Sequence, residues 1–243
     1  MRIALAALLM TGLVALAYRP QRDPMPQFPR IMLWAWERPE KLDFINPREI
    51  GVAFLARTIQ IHGGLVTVRP RLQPLLVAPG TAIMAVVRIE SQDALYSTHR
   101  EVEHAILEAT DFPGVQALQL DYDAKASERD FYRTVLTDLR NVLPPGMPLS
   151  MTALASWCES DDWISDLPVA EAVPMLFRMG AEPYRGNDFR PAACRSSVGI
   201  STDEPLPRRS PGVSRGRRVY IFNTRSWSRG ALRAAVAEVQ RWQ

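Results

Sequence analysis

Histidine and lysine are scarce in this chain. Among its 243 residues, His62, His99 and His104 are the only histidines, and Lys41 and Lys125 the only lysines. The histidines show no metal-ligand spacing, so no catalytic zinc is expected, and the sequence points to no other metal or cofactor. Positive charge is therefore almost all arginine, and the formal net charge is +3. So mild a balance does not point to nucleic acid as a partner. Cysteine is limited to Cys158 and Cys194. In an oxidising compartment that even count predicts one disulfide; two buried free thiols are the competing reading. Beyond the N-terminus no apolar run reaches the about 20 residues of a membrane span. Charged residues make up 23% and hydrophobic ones 47%, which excludes a disordered chain and supplies a sizeable core.

The first residues, MRIALAALLMTGLVALAYRP, combine Arg2 with an apolar stretch from Ile3 to Ala17 and a small-x-small site at Ala15-Leu16-Ala17. This is the pattern of a secretory signal peptide, cut near Ala17; an uncleaved anchor is the alternative. The reading divides the chain into a signal peptide (1–17), an N-terminal linker (18–30) and one domain (31–243). It predicts an exported protein, periplasmic or extracellular. Oligomeric state is not legible.

Within the domain, short apolar runs alternate with turns and helical patterns. Strands are expected at Ile31–Trp36, Val52–Ala56, Ile83–Ile89, Val115–Asp121, Leu149–Ala155, Ala172–Arg178, Val198–Ser201 and Val219–Phe222. A hairpin through His62-Gly63-Gly64 follows the second. Helical spacing of apolar residues marks Ser97–Glu108, Ser127–Val142 and Ala231–Trp242. In the second of these, Ser127 and Asp130 form a capping-box pattern, Phe131, Val135, Leu139 and Val142 share one face, and Pro144-Pro145-Gly146 ends the helix. Eight strands with intervening helices predict a (β/α)8 barrel of the TIM type, with loops replacing some helices after the sixth and seventh strands. An open doubly wound sheet is the alternative.

In such a barrel the active site lies at the C-terminal strand ends. Here those ends are rich in polar groups, whereas strand starts are mostly apolar. The fourth strand is the most suggestive. Alternation puts Ala117, Gln119, Asp121 and Asp123 on one face and Leu118, Leu120 and Tyr122 on the other. The two aspartates would stand roughly 7 Å apart along the rim. Like charges so placed and partly desolvated push one pKa upward, so that one carboxyl holds a proton while its neighbour stays ionised. That division suits glycoside hydrolysis, with Asp123 as general acid and Asp121 tuning it. Structural pairing with Arg57, Arg88 or Arg178 is the competing reading. Asp203 and Glu204, after the seventh strand, are candidates for the second catalytic carboxylate; Glu37 and Glu90 are alternatives. Substrate contacts are expected from Arg57, Arg88, Glu90, Gln119, Trp157, Arg178 and Asn223. Trp34, Trp36, Tyr122, Trp157 and Trp227 lie near strand ends, where an exposed ring would stack on sugar. Of these Trp157 is favoured for the mouth, and at least one of Trp34 and Trp36 is expected to pack under helices. The arginines at 208, 209, 215, 217 and 218 fall in a Pro-, Gly- and Ser-rich segment, read as a solvated loop or as a contact for acidic glycans or lipid headgroups.

The segments LWAWERPEKLDF, TALASWC, PMLFRMG and VGISTDEP together resemble a bacterial family known as domain of unknown function 3142, over about Ile31 to Pro205. The resemblance implies an exported bacterial protein related to sugar-cleaving barrels. A second resemblance covers only the fourth strand. Chitinase-type glycoside hydrolases carry Asp-Gly-x-Asp-x-Asp-x-Glu there, and this chain reads from Gln116 to Asp123 as QALQLDYD. Asp121 matches the third acid and Asp123 the terminal general acid, whereas Gln116 and Gln119 replace the first two. The expected partner is thus a polysaccharide or oligosaccharide of the envelope or surroundings. A non-catalytic carbohydrate-binding or scaffold protein on the same fold is the alternative.

Overall fold

The computed structural model describes residues 23–92, 98–178, 184, 189–207 and 216–243. The proposed signal peptide and Arg208, Arg209 and Arg215 lie outside the described residues. The strands are β1 (Ile31–Ala35), β2 (Glu40–Leu42), β3 (Ile50–His62), β4 (Leu65–Pro70), β5 (Leu75–Val77), β6 (Ile83–Ser91), β7 (Val115–Asp121), β8 (Leu149–Leu154), β9 (Glu171–Met175), β10 (Ser197–Ser201) and β11 (Arg218–Phe222). The helices are α1 (His99–Leu107), α2 (Arg129–Val142), α3 (Ala155–Glu159) and α4 (Arg229–Trp242).

Eight of the described strands pair in parallel in the order β1-β11-β10-β9-β8-β7-β6-β3, and β1 also pairs with β3, closing a barrel. The fold is a (β/α)8 TIM-type barrel with an incomplete helical coat. Its long β3 has two uses. Residues 31–35 of β1 flank its first half, and antiparallel β4 flanks its second half through Arg57↔Pro70 to His62↔Leu65. The expected hairpin thus rises above the barrel rim, next to the last residues of β6. A register shift between Leu55 and Arg57, a bulge, separates the two halves. The small β2–β5 pair stands apart from the barrel sheet and has no counterpart among the expected strands.

Strand alternation sorts the apolar residues into two cores. Leu118, Leu120 and Tyr122 face outward with Val135, Leu136 and Leu139 of α2. Ala117 faces inward with Met32, Trp34, Met84, Val86, Val173 and Tyr220. Helix α2 differs from the expected pattern at both ends. Its entrance is a 3-10 turn, Ala126–Glu128, and the acid that reaches back is Glu128, which accepts from the Lys125 N–H at 2.8 Å; Asp130 lies too far along the chain to do so. Val142 is 54% exposed because the helix ends there and Leu143 turns in instead.

A buried polar thread runs up the barrel axis. Arg218 donates to Glu171 at 3.2 Å and to Asp23 at 3.0 and 3.1 Å. Glu171 also accepts from the Tyr220 hydroxyl and, at 3.3 Å, from Ser150. Gln119 donates to Ser150 at 3.0 Å and accepts from the Trp34 indole N–H at 2.9 Å. Every polar group along this thread finds a partner, which is the condition for burying it. Gly199 leaves room for Trp34: a Cβ there would come within 2.8 Å of the indole. Residues 23–30 take part as well. Met25 and Phe28 are buried in the inner core, and their carbonyls accept from Arg218 at 2.7 and 3.3 Å. This part of the expected linker closes the barrel floor.

The basic segment is also not all loop. Arg218 is fully buried, and Arg217 donates to the Cys194 carbonyl at 2.7 Å with its guanidinium over Phe189. Both belong to the folded barrel, because β11 begins at Arg218 and fixes them.

Candidate functional site

The rim at the C-terminal strand ends surrounds a cavity of about 470 Å³. Its polar lining includes Arg88, Asp121, Asp123, Thr152, Ser156, Glu159 and Arg178; its apolar walls include Trp34, Trp36, Phe177 and Phe222. A second hollow of about 480 Å³ adjoins it, lined by Gln60, His62, Thr67, Glu90 and Gln92. Arg88, Asp121 and Asp123 line both. The carboxylate pair therefore marks the junction of an aromatic lobe and a polar one, the latter walled by the β3–β4 hairpin.

Asp121 is the last residue of β7 and is buried. It accepts from Thr152 Oγ1 at 2.8 Å and from Arg88 at 3.3 Å. Burial nevertheless raises its pKa; Arg88 and Thr152 pull it down, and the charges of Asp123 and Glu90 push it further up. Asp123, two residues on, is exposed at the rim. The cleft walls still crowd it enough for desolvation to raise its pKa, against the pull of Arg88. Arg88 is the hinge of this electrostatics. Its Nε bonds Glu90 at 2.9 Å, and Glu90 accepts from Gln60 at 3.0 Å. Those bonds lower the Glu90 pKa, the Gln60 hydrogen bond first.

Aromatic packing shapes the other lobe. Phe177 stacks on Phe222 with centroids 5.7 Å apart, and Trp36 meets Phe222 edge to face at 5.8 Å. Arg178 follows with φ +53°, a left-handed conformation rare for a side-chain-bearing residue. Its backbone N–H donates to both Glu204 oxygens at 3.1 Å, and its guanidinium lies over Phe222.

Of the expected site residues, Asp121, Asp123, Arg88 and Arg178 line the aromatic cavity and Glu90 the polar hollow. The others lie elsewhere. Arg57 stands on the outer face of β3 beyond the bulge and pairs with Glu108. Gln119 is fully buried beneath the cavity, both ends of its amide engaged by Trp34 and Ser150. Trp157 is buried against Trp163 in the outer core, because α3 turns it away from the mouth. Tyr122 and Trp227 are likewise buried in that core. Trp34 and Trp36 both point inward, so neither packs under helices, and Trp36 is the tryptophan at the mouth. Asn223 is buried and accepts from Thr202 at 2.9 Å. Asp203 accepts from Thr224 at 2.9 Å, Glu204 holds Arg178, and Glu37 accepts from the Leu72 N–H at 3.2 Å. None of the four lines the cavity.

Glu159 was not foreseen. It closes α3 and lines the same cavity as Asp121, at the end of β7, and Asp123, two residues beyond it. The disulfide Cys158–Cys194 ties this short helix to the 3-10 turn Ala192–Arg195 that leads into β10. The expected pairing of the cysteines is thus present, and it braces the wall that carries Glu159.

Fold and rim together define a TIM-type barrel with an acidic, aromatic-walled cleft at its strand C-termini. The family model described as "Domain of unknown function (DUF3142)" matches residues 79–186, from before β6 to beyond β9. That stretch contains TALASWC and PMLFRMG and bears out the resemblance they carry. No curated protein matches the chain. A solved structure found similar is the Bacillus cereus spore cortex-lytic enzyme SleL, at 16% identity and a TM-score of 0.46. The match covers 70% of this chain and 50% of that one, so the chain spans about half the length of that enzyme.

Proposed function

We propose that this protein is an exported, glycoside-hydrolase-like barrel that acts on a polysaccharide of the cell envelope or its surroundings. The observation that carries the reading is the carboxyl pair at the end of β7. Asp121 and Asp123 both have raised pKa values and share one cavity with Trp36 and with Glu159. Aromatic walls suit the apolar faces of sugar rings, and carboxyls suit the chemistry of the glycosidic bond. The signal-like leader and the disulfide support export.

In this reading Asp123 is the general acid. Its raised pKa keeps it protonated closer to neutrality than an ordinary aspartate, and it protonates the leaving oxygen. Asp121 is coupled to it: with Arg88 and Thr152 bound to its two oxygens, its pKa is pushed up by the Asp123 charge, so the pair resists carrying two charges at once. Glu159 is the second carboxylate, as base or nucleophile. Asp203, which holds the Thr224 hydroxyl, and Glu204, which holds the Arg178 backbone, act at most through the groups they hold.

A second reading, a non-catalytic carbohydrate-binding or scaffold protein, is favoured by Gln116 and Gln119, which replace two acids of the chitinase pattern. One experiment separates them. The purified protein is titrated with a panel of envelope and extracellular oligosaccharides, followed by tryptophan fluorescence, and the products are chromatographed. Binding with shortened products supports the enzyme. Binding with intact ligand, at every pH from 4 to 8, supports the scaffold. No binding to any member rejects both.

A further inference from the structure

Three arginines expected at the strand ends differ in what already holds them. Arg57 is paired with Glu108, and Arg88 is shared by Glu90 and Asp121. The guanidinium of Arg178 has no carboxylate within ion-pair distance among the described residues; its contact is the face of Phe222 at 5.5 Å. Yet it lines the aromatic cavity, and the backbone beneath it is costly to keep. A non-glycine residue at φ +53° stores strain of roughly 1–3 kcal/mol. That strain is held by the loop after β10, where Glu204 accepts the Arg178 N–H on both oxygens. The Glu204 carboxylate is engaged by the backbone and does not line the cavity, so the guanidinium fork is left to face the cleft.

A ligand that fills this cavity strips water from Arg178. A neutral sugar leaves the guanidinium with hydroxyls alone, whereas a carboxylate matches its planar fork with two charge-assisted bonds. The other acids that line the cavity, Asp121, Asp123 and Glu159, form no ion pair with Arg178 among the described residues, so they do not occupy this position. Resting on the reading of the cleft as a carbohydrate site, we infer that the substrate is an acidic glycan, with the carboxylate of a uronic-acid-type sugar bound by Arg178 above Phe222.

The test pairs carboxylated oligosaccharides of several backbones with their carboxyl-reduced neutral counterparts, measured by calorimetry on the intact protein. The expected result is binding of at least one carboxylated member and affinity lower by roughly 10- to 100-fold for its neutral partner. Arg178→Gln removes that preference, Arg178→Lys restores part of it, and the neutral ligand is nearly indifferent to both. Equal affinity for the two partners overturns the inference and leaves the carbohydrate site standing. So does an Arg178→Gln variant, unfolding at the wild-type temperature, that keeps the full preference. Failure of every glycan, acidic or neutral, overturns the carbohydrate site and this inference with it. The wild-type comparison needs no variant, so a misfolded variant does not remove the test.

Discussion

Replacing Cys158 and Cys194 together by alanine removes a crosslink whose ends are 36 positions apart. The chain-entropy relation, −2.1 − 1.5R ln n cal/mol/K with n near 36, gives about 13 cal/mol/K, or about 4 kcal/mol at 25 °C. Both cysteines are fully buried, so the lost sulfurs add a packing cost to this figure. For a domain of this size a loss of about 4 kcal/mol lowers Tm by roughly 8–16 °C. The assay is urea unfolding of the oxidised wild type and the double variant, read by tryptophan fluorescence and circular dichroism. The midpoint is expected to fall. Binding is expected to weaken before global unfolding, because α3 and Glu159 lose their tie to the turn ahead of β10. A stability loss below about 1 kcal/mol would be too small for a crosslink that constrains the unfolded chain as described. It would mean that the wall of the cleft is held by packing alone.

Two other perturbations read the same frame. Glu171→Ala leaves Arg218 buried with Asp23 as its remaining acid, and is expected to cost about 3 kcal/mol in urea unfolding. Asp121→Asn keeps the size of the side chain and its place beside Thr152 but cannot ionise. The Asp121 pKa is raised in the folded state, so the folded chain binds more protons than the unfolded one above the ordinary aspartate value of about 3.9. Stability contributed by this group is therefore greatest below that value and falls as pH rises through the folded pKa. The variant is expected to be more stable than wild type by about 1 kcal/mol at pH 7 and to show a flatter stability profile above pH 4, measured by urea unfolding across pH. A variant less stable than wild type at pH 7 would contradict the assignment of burial as the dominant cause.

The barrel was legible because its strands carry their own signal. Val115–Asp121 alternates apolar residues for two different cores, and the strand runs between those two residues as expected. The second half of β3 was legible through its Gly-Gly turn. What escaped was pairing across the barrel. Trp34 and Gln119 are 85 positions apart, and Glu171 and Arg218 are 47 apart; periodicity within one segment says nothing of such partners. Arg218 read as part of a basic loop for that reason, although it opens a strand and neutralises a buried glutamate. Glu159 escaped because α3 has five residues, too few for a helical period, and TALASW continues a strand pattern into it. The same short turn sends Trp157 into the outer core and leaves Trp36 at the mouth. Arg57 was misplaced by the bulge, which resets the face of the residues after Leu55.

Cleavage of a glycosidic bond in this cleft, as proposed, requires Asp123 to give up a proton. The direct measurement is the turnover rate of wild type and Asp123→Asn on an oligosaccharide that the protein binds, from pH 4 to 8. The expected result is turnover that declines as pH rises through the raised pKa of the acid. In the variant the rate falls by roughly 10²- to 10⁴-fold with affinity retained. Equal turnover by the two proteins would contradict it.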